Sequence, residues 1–213
     1  MTVRQLLVVA AAAAVVTAIA IVALDAPVAR ALGAGANQTG FAQAMAAVLK
    51  VLDRVTLMLW PKKEQLAVGL CVLGAAAWWW RRPVGHALLL VGLTHAISRT
   101  LGGHLKPLTG RLRPSEALAR HHLDDTFWWS DGISFPSGHV AHYAALAFAV
   151  AYLWPRLTWP ALAVLAVVIA ARVSANAHFV SDVSGAIAVA ALACAAVAAA
   201  LGRLRVSSAG RRR

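Results

Sequence analysis

The chain has 213 residues, 61% of them hydrophobic and 13% charged, with a mean hydropathy of +0.70. Soluble domains run about 45–50% apolar and about 25% charged, so the composition argues against a soluble globular fold, and so much apolar material excludes a disordered chain. The net charge is +12, from 20 Lys and Arg against 8 Asp and Glu. Membrane proteins gather such cations in cytoplasmic loops, and no basic stretch is interleaved with a binding module, so no nucleic-acid partner is expected.

Six apolar stretches approach the roughly 20 helical residues that cross a bilayer. They lie at 5–24, 65–80, 84–101, 140–154, 157–173 and 183–201. The first follows Arg4, and its apolar core exceeds the roughly 7–15 residues of a signal peptide, so it reads as a retained helix. Gly33, Gly35 and Gly40 then punctuate a short linker. Phe41, Met45, Val48, Leu52, Val55 and Leu59 recur at helical spacing, with Gln43, Lys50 and Arg54 on another face. That pattern predicts an amphipathic helix at the interface or against the bundle, not a seventh span. Cys71 and Cys194 sit inside apolar runs and read as packing residues.

The expected fold is therefore an all-α integral membrane protein. Six transmembrane helices are expected, with an amphipathic interfacial helix between the first and second. It forms a single domain over 1–213: an N-terminal helix and interfacial segment at 1–63, a motif-bearing core at 84–201 and a basic cytoplasmic tail at 202–213.

Charge sets the expected orientation. With both termini inside, the inner side carries Arg4, Arg81, Arg82, Arg156, Arg203, Arg205 and Arg211 to Arg213, and no acid. The opposite side takes the other eleven cations and all eight acids, so the positive-inside rule places the termini in the cytoplasm. Tryptophans cluster at helix ends as headgroup anchors, with Trp78 to Trp80, Trp154 and Trp159 inside and Trp60, Trp128 and Trp129 outside.

Three polar segments remain unexplained by this plan. Lys106-Pro-Leu-Thr-Gly-Arg-Leu-Arg113-Pro114 follows the third span, Ser134-Phe-Pro136-Ser137-Gly138-His139 opens the fourth, and Arg172, His178 and Asp182 surround the turn between the fifth and sixth. Parity brings all three to one side, the outer one. Lys106, Arg113 and Arg172 suit a phosphate, whose oxygens match arginine's planar fork. Pro136 is a good first-turn residue. The backbone N–H groups of Ser137, Gly138 and His139 can cradle an anion at a helix N-terminus. Asp182, four residues after His178, can hold one ring nitrogen and present the other as a nucleophile. His139 can act as general acid.

These residues resemble the type 2 phosphatidic acid phosphatase family, which shares its site with vanadium haloperoxidases and glucose-6-phosphatase. The family pattern is Lys, six residues, Arg-Pro; then Pro-Ser-Gly-His; then Ser-Arg, five residues, His, three residues, Asp. Each internal spacing is kept here over roughly Val84 to Leu201, and the one departure is Ala171 in place of Ser. The resemblance implies six membrane helices and a membrane lipid phosphate or pyrophosphate as substrate. It implies that His178 attacks phosphorus to form phosphohistidine, that Asp182 orients it, and that His139 protonates the leaving group and then activates water. Lys106, Arg113, Ser137, Gly138 and Arg172 would bind the phosphoryl oxygens, with no metal and no other cofactor.

Other readings lead elsewhere. A second lipid could replace water as acceptor, making a phosphotransferase. A vanadate-dependent peroxidase would not need bilayer-spanning helices, and a non-catalytic lipid-binding or transport protein would not need His178, His139 and Asp182. His121-His122-Leu-Asp124-Asp125 reads as a solvated loop in preference to a metal site. Ser98-Arg99 with His104 imitates part of the third motif at the wrong gap. His86, His95 and His142 read as interior hydrogen-bonding residues. The expected location is a bacterial inner or plasma membrane with the site facing outward; composition sets no oligomeric state.

Overall fold

The computed structural model describes residues 1–33, 35–56, 64–80, 84–121, 123 and 128–210, with 64–65 and 203–210 described by backbone alone. Among the described residues the fold is helical, without strands. Helix α1 (Val3–Ile19) continues through a wider π turn (Ala20–Leu24) into α2 (Asp25–Leu32). It is followed by α3 (Gly40–Val55), α4 (Glu64–Trp79), α5 (Val84–Thr109), the short α6 (Pro114–Ala119), α7 (Gly138–Leu153), α8 (Thr158–Ser174) and α9 (Val180–Gly210). Local chemistry marks the boundaries. Thr2 and Gln5 cap α1 reciprocally, and Thr39 accepts the Ala42 N–H at the start of α3.

All six expected apolar stretches are helices. Among the described residues, four regions are long and apolar enough to cross a membrane: Val3–Leu32, Val84–Ala119, Pro155–Ser174 and Val180–Gly202. Leu66–Trp79 and Gly138–Leu153 are shorter apolar helices. Helix α1 packs along α9, α4 along α5, and α5, α7 and α9 pack on one another, with α8 against α7. The centre is alanine-rich: Ala144, Ala145 and Ala149 of α7, and Ala186, Ala190 and Ala191 of α9, are buried. Small side chains let helices approach closely, as apolar bundles require when water no longer drives helix association.

Helix α3 forms as expected. Ala42, Leu49 and Asp53 are buried, while Phe41, Val48 and Val55 of the apolar stripe are exposed, and α3 packs against α8. Met45 and Leu52 of the stripe are half-buried against the core, and Asp53 finds polar partners inside the bundle. Leu59 lies outside the described residues, as do Trp60, Arg81, Arg82 and Arg211 to Arg213 of the orientation argument.

The bundle has two distinct ends. The Met1 ammonium donates to the Ala151 carbonyl, near the last turn of α7. The motif residues lie at the other end: Lys106 in the last turn of α5, His139 in the first of α7, Arg172 in the last of α8 and Asp182 in the first of α9.

Candidate active site

The three motif segments converge through loop geometry. Gly110, in the left-handed region at φ +52°, ends α5, and its carbonyl accepts from the Ser130 and Gly132 N–H groups. Gly132 passes so close to Arg111 that a Cβ would lie 2.1 Å from the Arg111 carbonyl oxygen, so only glycine fits this crossing. Arg113 N-caps α6, with Pro114 in its first turn. Ser137 N-caps α7, and its N–H donates to the Asp182 carbonyl, tying the second segment to the third. Asn176 turns the chain at φ +51°, and its side chain donates to the carbonyls of Ala29 in α2 and of Gly33 at its C-cap.

His178 and Asp182 form the expected pair. His178 Nδ1 lies 3.3 Å from Asp182 Oδ2 and 3.3 Å from Ser134 Oγ. That carboxylate also accepts from Ser134 Oγ at 2.5 Å, the Phe179 N–H at 2.9 Å and Arg111 Nη1 at 2.5 Å. So many donors keep Asp182 a fixed acceptor for the Nδ1 proton and leave Nε2 with its lone pair. Burial of His178 lowers its pKa from 6.5 to about 4, with Asp182 opposing the shift. The imidazole is neutral at pH 7, the state a nucleophile needs.

The expected phosphate-binding residues gather beside it. Lys106 feels the charges of Asp182, Arg113, Arg99 and Arg172, and its Nζ donates to the Ile133 carbonyl. Nε of Arg113, Nε of Arg172 and Oγ of Ser137 are buried with no hydrogen-bond partner in the protein. Buried polar atoms are nearly always satisfied, so three orphans around one cluster of cations mark a place for an anion with several acceptor oxygens. Gly138 and His139 begin α7, adding first-turn N–H groups. His139 Nε2 lies 3.3 Å from Asp53 Oδ2, with its side chain 24% exposed. Ala171 is buried in the core, so the missing hydroxyl is replaced by apolar packing.

Several residues here were not anticipated. Arg111 is fully buried and bridges Asp182 to Asp25, with Nη2 2.5 Å from Asp25 Oδ2. Its guanidinium sits between the rings of Trp128 and Phe179, at 4.2 and 4.3 Å from their centroids. Ser181 donates to Asp25 through both its N–H and its hydroxyl. An acid inside the first apolar helix was the available signal for this network. Trp128 therefore covers Arg111 and packs on Phe135, where headgroup anchoring was expected; Trp129 is the exposed member of the pair. Arg99, dismissed with its neighbours as a mimic, donates to the Gly138 carbonyl. His95 and His142 are hydrogen-bonded to each other at 2.7 Å in the interior, as expected. His122, Asp124 and Asp125 lie outside the described residues.

A buried histidine–aspartate pair facing a cradle of cations and helix N–H groups defines an enzyme of phosphate-ester chemistry. Residues 85–205 match the PAP2 superfamily, and the chain belongs to that superfamily, whose members are phosphatases. No curated protein and no solved structure matches the chain.

Proposed function

We propose that the protein hydrolyses a membrane lipid phosphate or pyrophosphate at the outer face through a phosphohistidine. The carrying observation is His178, held at Nδ1 by Asp182 beside the orphaned donors of Arg113, Arg172 and Ser137. In this reading His178 Nε2 attacks phosphorus while His139 gives a proton to the departing oxygen. Water then attacks the phosphorus, His139 takes its proton, and the P–N bond breaks to release phosphate and neutral His178. The Ser137 N–H, expected in the cradle, is committed to the Asp182 carbonyl; Lys106, Arg113 and Arg172, with the Ser137 hydroxyl and the Gly138 and His139 N–H groups, stabilise the charge on the equatorial oxygens without a metal.

A lipid substrate is supported by what adjoins the general acid. A groove of about 290 Å³ runs along α7 from Tyr143 to Val150, and Ala147, Leu157, Ala161 and Val164 also line it. Tyr143 lies one turn beyond His139, the proposed general acid to the leaving group, so the groove suits that group's acyl chain. In addition, four regions among the described residues long and apolar enough to cross a bilayer support a membrane substrate, and the acid-free cations of one set of loops support an outward-facing site.

The test is phosphate release by purified protein from a panel of lipid phosphates and pyrophosphates, with EDTA and with or without an acceptor lipid. Wild type quenched in mid-turnover should carry acid-labile phosphate. His178→Ala should carry none and lose at least about 10³-fold in turnover. More than a tenth of the activity left in His178→Ala would remove the phosphohistidine, and transfer to the acceptor in place of release would make the protein a phosphotransferase.

A further inference from the structure

We propose that Asp53 is the positioning residue of His139, engaging the imidazole at Nε2 so that Nδ1 carries the proton exchanged with the substrate. The inference rests on the phosphatase reading above and adds to it a residue from outside the family match.

Asp53 comes from α3, two helices before the first motif in the chain. Leu49, one turn earlier, is buried in the core cluster and anchors the helix, and Asp53 itself is 4% exposed. A carboxylate this deep must be paired or hydrogen-bonded. Its two oxygens are divided between two partners. Oδ1 accepts from the Tyr143 hydroxyl at 2.9 Å, and that hydroxyl in turn accepts from Thr56 Oγ1 at 3.0 Å. Oδ2 is left to His139 Nε2 at 3.3 Å. Tyr143 thus sets the carboxylate plane, and the carboxylate sets the imidazole.

The surroundings explain why a carboxylate is needed there. Arg172, from α8, acts on Asp53, and Arg99, from α5, reaches the Gly138 carbonyl next to His139. His142, one turn further along α7, feels both Arg99 and His139, while Lys50 and Arg54 of α3 itself point outward. Cations on neighbouring elements would strip the proton from His139, and Asp53 offsets them. Burial raises the pKa of Asp53 while the Tyr143 hydrogen bond and Arg172 lower it. The pair therefore works in both half-reactions. With Nε2–H donated to Asp53, the imidazolium gives up its Nδ1 proton as the ester O–P bond breaks and the His178 N–P bond forms. The neutral ring then accepts a proton at Nδ1 from the water whose oxygen displaces His178.

The test compares kcat/KM against pH for an alkyl phosphate and an aryl phosphate. kcat/KM reports the first half-reaction, and an aryl leaving group needs little protonation. Asp53→Asn should lower kcat/KM for the alkyl ester by about 10–100-fold, a share of what general acid catalysis supplies. It should cost the aryl ester less than about threefold, and move the alkaline limb for the alkyl ester to lower pH. Asp53→Glu, which keeps the charge, should leave that limb in place; it carries the test alone if Asp53→Asn does not fold. In a His139→Ala background Asp53→Asn should cost nothing further. Equal losses for both esters, an alkaline limb that stays put in Asp53→Asn or moves in Asp53→Glu, or the same loss without His139 would each overturn the assignment. Titration of labelled His139 by NMR should also fall in Asp53→Asn, even in a protein that releases no phosphate from any ester. A wild type inactive on every ester thus refutes the phosphatase, and an unmoved His139 refutes the pairing.

Discussion

Arg111 is the buried charge on which the site's geometry depends most, and removing it makes a measurable difference. In Arg111→Met the thioether chain still fills the space between Trp128 and Phe179, so the apolar packing changes little. What changes is electrostatic, because Asp25 and Asp182 lose the cation they share at 2.5 Å each. Breaking a buried pair by deleting one partner costs about 3–5 kcal/mol, since the remaining charge stays uncompensated. The surviving donors bring the figure toward the lower end: Ser181 N–H and Oγ on Asp25, Ser134 Oγ and Phe179 N–H on Asp182. The loss is therefore expected near 3 kcal/mol by reversible unfolding in mixed micelles. Adding Asp25→Asn should recover about 1–2 kcal/mol, because it removes one of the two orphaned charges. A loss below about 1 kcal/mol in Arg111→Met, or no recovery on adding Asp25→Asn, would refute the account of Arg111 as the bridge.

Three further outcomes are expected. The pKa of His178 is lowered from 6.5 to about 4 by folding, so between those values the unfolded chain takes a proton that the fold excludes. Stability should therefore rise with pH across that window by an amount of order 3 kcal/mol and level off above it; unfolding of His178→Gln should lack this slope. Ala147→Phe, placed in the groove beside α7, should raise KM at least about tenfold for long-chain lipid phosphates and leave a short-chain phosphate unaffected, since each buried methylene is worth about 0.8 kcal/mol. With Cys71 and Cys194 replaced, a cysteine substituted for Ser115 should react with an impermeant thiol reagent in intact cells, and one substituted for Ser207 only after permeabilisation; the reverse pattern would place the site inside.

The helices were legible because apolar runs of this length have few alternatives, and each of the six became a helix. The motif residues were legible because their chemistry and spacing occur together: His178 with Asp182 one turn on, Ser137 to His139 at a helix start, three cations nearby. Partnerships across long separations were not. Periodicity identified α3 as an amphipathic helix at the interface or against the bundle, but it carries no information about Tyr143 and His139, both far along the chain, which take up Asp53. Asp25 and Arg111 are also distant in sequence, and no local pattern joins them. Trp128 was read from its position at a helix end, and only the fold brings a buried guanidinium beneath it.

The two unanticipated acids have a common logic. Residues 85–205 carry the three motif segments, and with them a concentration of positive charge: Arg99, Lys106, Arg111, Arg113 and Arg172 around Asp182, which among the described residues of that range is the one buried acid. Cations serve an anionic substrate, but their mutual repulsion opposes folding when the site is empty. The segment before the match returns two buried carboxylates to this end of the bundle, Asp25 from α2 and Asp53 from α3. Asp25 neutralises Arg111, which does not line the phosphate cradle, and Asp53 faces His139 from the side of Arg172. Neither acid displaces a cation from the cradle, where the donors of Arg113 and Arg172 remain uncommitted. The N-terminal helices thus stabilise the charge cluster at its edges while its centre stays positive enough to bind phosphate.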